Sequence, residues 1–334
     1  MPAEFDAIVI GTGQAGPALA ARLAGAGMKL AVIEKHRFGG TCVNDGCTPT
    51  KTLVASAYAA RIAQRAAEYG VRASAAGVDM QRVKARKDAV VAKSSGNVEK
   101  WMRGLANGAV YQGHARFSGK DTVRVNGEEL RAPRIFLDVG GRPSVPKMPG
   151  LDQVPYLTNV SIMDVDAVPE HLLIVGGSYI GLEFAQMYRR FGARVTVVEC
   201  SAKLLPREDD DVAQGIRAVL EAEGVAIRTD AECMNVARQG DRISIGMACK
   251  SGPPVAEGSH LLMAVGRVPN TDDLGLERTG VQKDERGYIK VDDECRATQE
   301  GVWALGDCNG KGAFTHTAYN DYEIVAANLF DKDP

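Results

Sequence analysis

From residue 5 to residue 34 the chain reads FDAIVI, GTGQAG, a Leu/Ala-rich stretch containing LAARLAGAG, and KLAVIE. The first and last runs are short, apolar and β-branched, which predicts strands buried on both faces, and the Leu/Ala spacing between them predicts a helix. Strand, glycine turn, helix and strand form a β-α-β unit. The same order returns as HLLIV, GGSYIG, LEFAQMYRRFGA and RVTVVE. Gly176 stands 165 residues after Gly11, and the strand-end acid Glu199 stands 165 residues after Glu34. A constant offset at both ends marks an internal repeat. Each copy later reaches an apolar strand that ends in Gly, Arg and Pro, LDVGGRP at 137–143 and MAVGRVPN at 263–270. The pattern predicts an α/β protein with two Rossmann-like dinucleotide-binding domains, each a three-layer sandwich.

Between the first unit and Gly140 lie an Ala-rich helical segment around 50–68 and a basic stretch, QRVKARKDAVVAKSSGNVEKWMRG, that reads as a solvated helix. After residue 270 come turns in ERGYIKVDDEC, the strand VWAL, the turn GDCNG and a helix from about His316 to Leu329. The 334 residues are 45% hydrophobic and 25% charged, a globular composition that excludes disorder, collagen-like repeats and coiled coils. Lys and Arg number 40 against 42 acidic residues. That balance gives no field to recruit nucleic acid or an anionic membrane, so the expected partners are small molecules. No apolar run reaches membrane-spanning length, and the acidic start MPAEFDAIVIG is unlike a signal peptide. A cytoplasmic protein is expected.

In GTGQAG, Gly11 permits the tight turn, Gly13 lets backbone approach a pyrophosphate and Gly16 lets the helix pack on the strand. The helix N-terminus offers N–H groups and partial positive charge to the phosphates, and Glu34 is placed to accept from a ribose hydroxyl. The second copy has Gly176, Ser178 and Gly181 at the matching places, Ser178 being small enough to keep the approach open. Glu199 favours the free 2′-hydroxyl of NAD over the 2′-phosphate of NADP; Lys203 and Arg207, close in sequence, are the opposing signal. In GGTCVNDGCTPTK, Cys42 and Cys47 flank four residues, with Gly46 free to bring the sulfurs together. Thr48 and Pro49 read as an N-cap and first helical position, which puts Cys47 at a helix N-terminus, where a thiolate is stabilised. Two unpaired core cysteines or half a zinc site are the other readings. Zinc needs a second pair at ligand spacing, and Cys200, Cys233, Cys249, Cys295 and Cys308 supply none.

Taken in order over residues 5–330, GTGQAG, GGTCVNDGCTPTK, GGSYIGLEFA, GRVPN and WALGDCNG resemble the class I pyridine nucleotide-disulfide oxidoreductases, the group of glutathione reductase, dihydrolipoamide dehydrogenase and mercuric reductase. The resemblance implies an FAD-binding domain at 1–148 that resumes at 270–334, with an NAD(P)-binding domain at 149–269 between them. FAD would occupy the first site and NAD(P)H, with NADH favoured, the second. By family pattern Cys47 is the thiolate touching the flavin and Cys42 the interchange thiol, the two forming a redox-active disulfide. Lys51 stands for the lysine beside flavin N5, paired with Glu183, and Tyr179 for the aromatic gate over the flavin. Gly306 and Asp307 match the turn that binds the ribityl chain, and Gly113 and His114 the backbone beside the adenine. Gly40, Thr41, Gly140, Gly266 and Arg267 complete the expected cofactor contacts.

The implied function is hydride transfer from NAD(P)H through FAD to Cys42–Cys47 and on to a disulfide, metal or quinone acceptor. The other readings are a nucleotide-binding module, and an NADH oxidase or quinone reductase with non-catalytic cysteines. The sequence departs from the family by ending at Pro334, before the domain that forms the family's homodimer and supplies a His-Glu acid-base pair from the neighbouring subunit. None of His36, His114, His171, His260 and His316 sits in a matching motif. A largely monomeric chain that reduces dyes with NADH and turns over disulfides slowly is therefore expected.

Overall fold

The apolar runs become the strands of two parallel sheets. In the computed structural model, which describes residues 1–72, 77–248 and 253–331, the chain forms two compact units. One comprises Met1–Thr48, Val91–Arg142 and Arg267–Pro334, the other Pro49–Val90 and Pro143–Gly266.

The sheet of the first unit runs Val302–Ala304, Ile135–Leu137, Ala7–Ile10, Leu30–Glu34, Gly108–Gln112, all parallel. Successive side chains of a strand face opposite ways, and the cores follow that period. Ile8, Ile10, Ala31, Ile33, Ile135 and Leu137 pack on one face with Val123, Val125 and Leu130 of the antiparallel strands Thr122–Val125 and Glu128–Arg131. Ala7, Val9, Leu30, Val32 and Phe136 pack on the other with Leu19 and Leu23 of helix Gly16–Gly25 and Val325 of helix Thr315–Ala326. The result is the three-layer sandwich that the pattern predicts.

The second unit repeats the plan. Its parallel sheet runs Ala226–Arg228, Arg194–Val198, His171–Val175, His260–Met263. Leu172, Ile174, Val195, Val197 and Leu262 meet Leu182 and Tyr188 of helix Tyr179–Phe191. Leu173, Val175, Leu261 and Met263 meet Val236, Ile243 and Ile245 of the antiparallel strands Glu232–Gln239 and Arg242–Ala248. The repeat is kept in hydrogen-bond register: Ile8 opposes Ala31 as Leu173 opposes Thr196.

Elsewhere the structure refines the sequence reading. The Ala-rich segment is helix Cys47–Gln64 followed by a 3-10 turn at Ala66–Tyr69. Leu53 and Ala57 of this helix, with Met80, fill the core of the second unit, a tertiary preference that a linear division of the chain does not reveal. The basic stretch is helix Met80–Arg103, but it is not wet all round: Met80, Lys87, Val91 and Met102 are buried. The last helix is Thr315–Ala326, extended by a π-helical turn to Asp331. No helix among the described residues is long and apolar enough to cross a membrane. Cys249 and the side chain of Cys233 lie outside what the structure describes.

Candidate active site

In the first unit the chain leaves strand Ala7–Ile10 through Gly11, whose φ of +103° is left-handed, and a β-carbon there would stand 2.1 Å from the Asp138 carbonyl oxygen. A β-carbon on Gly16 would stand 2.4 Å from the Gly11 carbonyl, so both positions require glycine for packing. Glu34 closes the turn. Its Oε2 accepts from the Thr12 N–H at 3.0 Å and the Thr12 hydroxyl at 2.7 Å, and its Oε1 accepts from the His36 N–H at 2.9 Å. Gly113 donates its N–H to the Glu34 carbonyl, and His114 lies 3.0 Å from Asp273. Arg267 is drawn into this unit, donating to the Thr41 hydroxyl at 3.3 Å and to the Gly141 carbonyl, 3.5 Å from Asp307.

Helix Gly16–Gly25 carries no side-chain cap from its own N-cap residue, Ala15. The carboxylate of Asp138, one residue beyond strand Ile135–Leu137, takes that place and accepts the Gly16 N–H at 2.8 Å. Burial pushes this carboxyl up to about 8, the charges of Glu34 and Asp307 add to the rise, and the N–H groups of Gly16 and Gly13 oppose it.

Cys42 lies in the short helix Gly40–Asn44 and Cys47 is the first residue of helix Cys47–Gln64. The helix thus starts one residue before the N-cap expected at Thr48, and Pro49 lies in its first turn, where its missing N–H costs nothing. Both cysteines are free thiols, Cys42 half-buried and Cys47 exposed. Burial first, and then the neighbouring Cys47, push the Cys42 thiol up to about 12.

The second unit carries its own constellation. Glu199 Oε2 accepts the Gly177 N–H at 2.6 Å and Oε1 accepts the Ser201 N–H at 2.8 Å, reproducing the Thr12 and His36 bonds of Glu34 at the same offset. Helix Tyr179–Phe191 begins after Ser178, which is extended and makes no side-chain cap bond. Tyr179 is exposed, so it is not a core residue, and its hydroxyl hydrogen-bonds Glu208. Lys203 is engaged by the Glu208 carbonyl at 2.7 Å and by Asp210 at 2.5 Å. Lys51 forms an ion pair with Glu183, but its side chain is 68% exposed, so the cost of burying an unpaired ammonium does not explain the pairing here.

Both turns fit a dinucleotide diphosphate. Gly140 and Gly266, at matching places in the two units, have φ of +61° and +119°, and a β-carbon on either would meet nothing within 4 Å. Such glycines leave backbone open to close approach by a ligand. The helix starts behind the turns supply the field that favours an anion.

A family model for pyridine nucleotide-disulphide oxidoreductases matches residues 5–321. The chain belongs to this family. Its members use FAD and NAD(P)H, and so does this oxidoreductase. The chain is 34% identical to the mercuric reductase of Streptomyces lividans over 98% of its own length and 70% of that protein's. It is also 34% identical to the probable pyridine nucleotide-disulfide oxidoreductase RclA of Escherichia coli, over 98% of this chain and 71% of RclA, and to the dihydrolipoyl dehydrogenase of Chlorobaculum parvum, over 99% and 72%. The solved structure of the HOCl-induced flavoprotein disulfide reductase RclA matches with a TM-score of 0.87 at 34% identity, covering 97% of this chain and 71% of that one.

Within this member of the family, three carboxylates escaped the sequence reading. Asp138 was legible only as the residue after a strand, although its counterpart in the repeat, Ala264, made it the odd member of a matched pair. Buried Asp321 accepts from the Gly306 N–H and the Asn309 amide, each at 2.8 Å, and so holds the turn containing Asp307. Nothing in the helix pattern marked it. Glu208, 29 residues from Tyr179, became visible only through its bond to the phenol.

Proposed function

We propose that the unit built on the first fingerprint holds FAD, that the unit built on the second holds NADH, and that the electron pair of NADH reduces a Cys42–Cys47 disulfide by way of the flavin. The balance is NADH, one proton and the disulfide giving NAD⁺ and two thiols. Bound FAD supplies the two-electron link between nicotinamide and sulfur. The observation that carries the reading is the placement of Cys42 and Cys47 at adjoining helix ends, near enough that Cys47, after burial, contributes to raising the Cys42 thiol. Gly13, Glu34, Gly40, Thr41, Gly113, His114, Gly140, Gly306 and Asp307 would hold the flavin nucleotide; Lys51, oriented by Glu183, is assigned beside the flavin ring and Tyr179 as its gate. Glu199 supports NADH over NADPH, because a 2′-phosphate would meet a carboxylate while Lys203 is committed elsewhere.

The acceptor we infer is a small disulfide or a soft metal ion, since a dithiol exchanges with the one and ligates the other. The relatives' names point the same way. Seven cysteines in 334 residues, too sparse for a disulfide scaffold, support a reducing compartment, the cytoplasm. The test is an anaerobic NADH titration with thiol counting. A long-wavelength absorbance band at two electrons and a gain of two thiols are expected. Full flavin bleaching with no gain of thiols overturns the reading in favour of an oxidase with idle cysteines.

A further inference from the structure

We propose that Asp138 sets how tightly the first unit holds FAD, and that the protein takes up a proton at this carboxylate as the FAD diphosphate binds; the inference rests on the assignment of FAD to the first fingerprint. The carboxylate lies directly under the glycine turn. A β-carbon added to Gly13 or to Gly16 would fall 2.8 or 2.9 Å from Asp138 Oδ2, and that oxygen already accepts the Gly16 N–H. The helix end that attracts a diphosphate is therefore shared with a side-chain anion that is only 6% exposed.

Everything titratable around it deepens the conflict. Glu34 acts on it from the end of strand Leu30–Glu34, on the far side of strand Ala7–Ile10, and Asp307 and the Cys308 thiol act on it from the turn Gly306–Asn309. Arg267 is directed to Asp307. Among the described residues Asp138 has no ion-pair partner. A buried carboxylate with negative neighbours and no cation favours its neutral form, and two phosphate charges arriving at the same turn favour it further. The repeat supplies the comparison within the molecule. At the second fingerprint the matching residue is Ala264, whose carbonyl oxygen would be 2.3 Å from a β-carbon on Gly176, as the Asp138 carbonyl would be 2.1 Å from one on Gly11. The backbone arrangement thus forms without a carboxylate, so the carboxylate is not required by the fold of the turn.

Ionisation of Asp138 in the FAD-free protein begins to compete near pH 8, where burial has placed it. Above that pH the dissociation constant for FAD should rise, approaching tenfold per pH unit until the group also ionises in the complex. The experiment dilutes the FAD-loaded 334-residue chain across about pH 6.5 to 9.5 and follows the fluorescence of released FAD. The wild type should hold FAD with constant affinity at the acid end and lose it progressively above about pH 8. Asp138→Asn, which keeps an acceptor for Gly16 and has no proton to trade, should hold FAD with a flat profile. A second measurement needs no variant: FAD added to the FAD-free chain in weakly buffered solution near pH 8.5, with an indicator dye, should take up a fraction of a proton per FAD, and NAD⁺ should take up none. Retained FAD with parallel pH profiles for wild type and Asp138→Asn overturns the proposal, as does FAD binding without proton uptake. A chain that holds no FAD at any pH overturns the assignment of the first fingerprint as well.

Discussion

Cys42 and Cys47 sit five positions apart yet in unequal surroundings, and the inequality has a chemical reading. The thiolate is the nucleophile, and a Cys42 thiol pushed up to about 12 carries almost none of it near neutral pH. With the reduced chain and limiting iodoacetamide at pH 8, exposed Cys47 should be alkylated well before Cys42, and buried Cys295 and Cys308 last, as read by peptide mass spectrometry. Equal labelling of Cys42 and Cys47 would count against this difference in their surroundings. Asp138 gives a second residue-scale expectation. Its carboxyl in the folded chain lies far above that of an unfolded chain, so folding takes up a proton between roughly pH 4 and pH 8. The contribution of the neutral carboxyl is fully present below about pH 4 and is lost as the pH rises through 8. Asp138→Asn should therefore gain stability relative to wild type as the pH is raised over that window, measured as the difference in denaturant midpoint. An advantage that shrinks with rising pH would reverse the sign of the argument.

At the scale of elements, the strand-turn-helix joints are the places where the chain has least freedom. A β-carbon at Gly181 would stand 2.1 Å from the Gly176 carbonyl, whereas Gly215, inside helix Asp210–Ala222, has nothing within 4 Å. Gly181→Ala should cost about 2–4 kcal/mol, and Gly215→Ala should gain about 0.5–1 kcal/mol; thermal melts of both variants check the contrast. These joints were legible in the sequence because glycine spacing reports backbone geometry directly, and the strands were legible because a run buried on both faces has few polar choices. Helix Met80–Arg103 was legible as a helix but not in its burial, since the long stems of Lys and Arg pass as surface in a pattern of letters. The Lys51–Glu183 partnership was named by family resemblance alone. Burial does not account for it, because the ammonium is 68% exposed. Asp138 and Asp321 were missed for a common reason: each satisfies a backbone N–H more than 14 positions away, and side-chain bonds of that span leave no local periodicity.

For the molecule as a whole, two nucleotide units of one design should answer to different ligands. Hydrogen exchange of the chain with FAD should slow around residues 8–16, 34–41 and 138–142, and with NAD⁺ around 173–181 and 199–203, because a ligand protects the unit it binds. Protection of both sets by either nucleotide alone would remove the assignment of one cofactor to each. Glu199→Ala should narrow the preference for NADH over NADPH in dye reduction by a factor of a few, the size expected of one screened charge; an unchanged ratio would place the discrimination elsewhere.

The constant offset of 165 residues, which holds for the glycine φ values, the strand pairing and the carboxylate bonds of Glu34 and Glu199, turns the molecule into its own control experiment. Any change made at one fingerprint has a counterpart at a known position in the other, in the same chain, at the same concentration and in the same solvent. At the later strand ends, where LDVGGRP matches MAVGRVPN at a spacing of 126 residues, Asp138→Ala makes the first joint resemble the second, and Ala264→Asp does the reverse. The pair of exchanges asks whether a cofactor preference belongs to the architecture or to one side chain, a question that proteins with a single such unit can pose only across different chains.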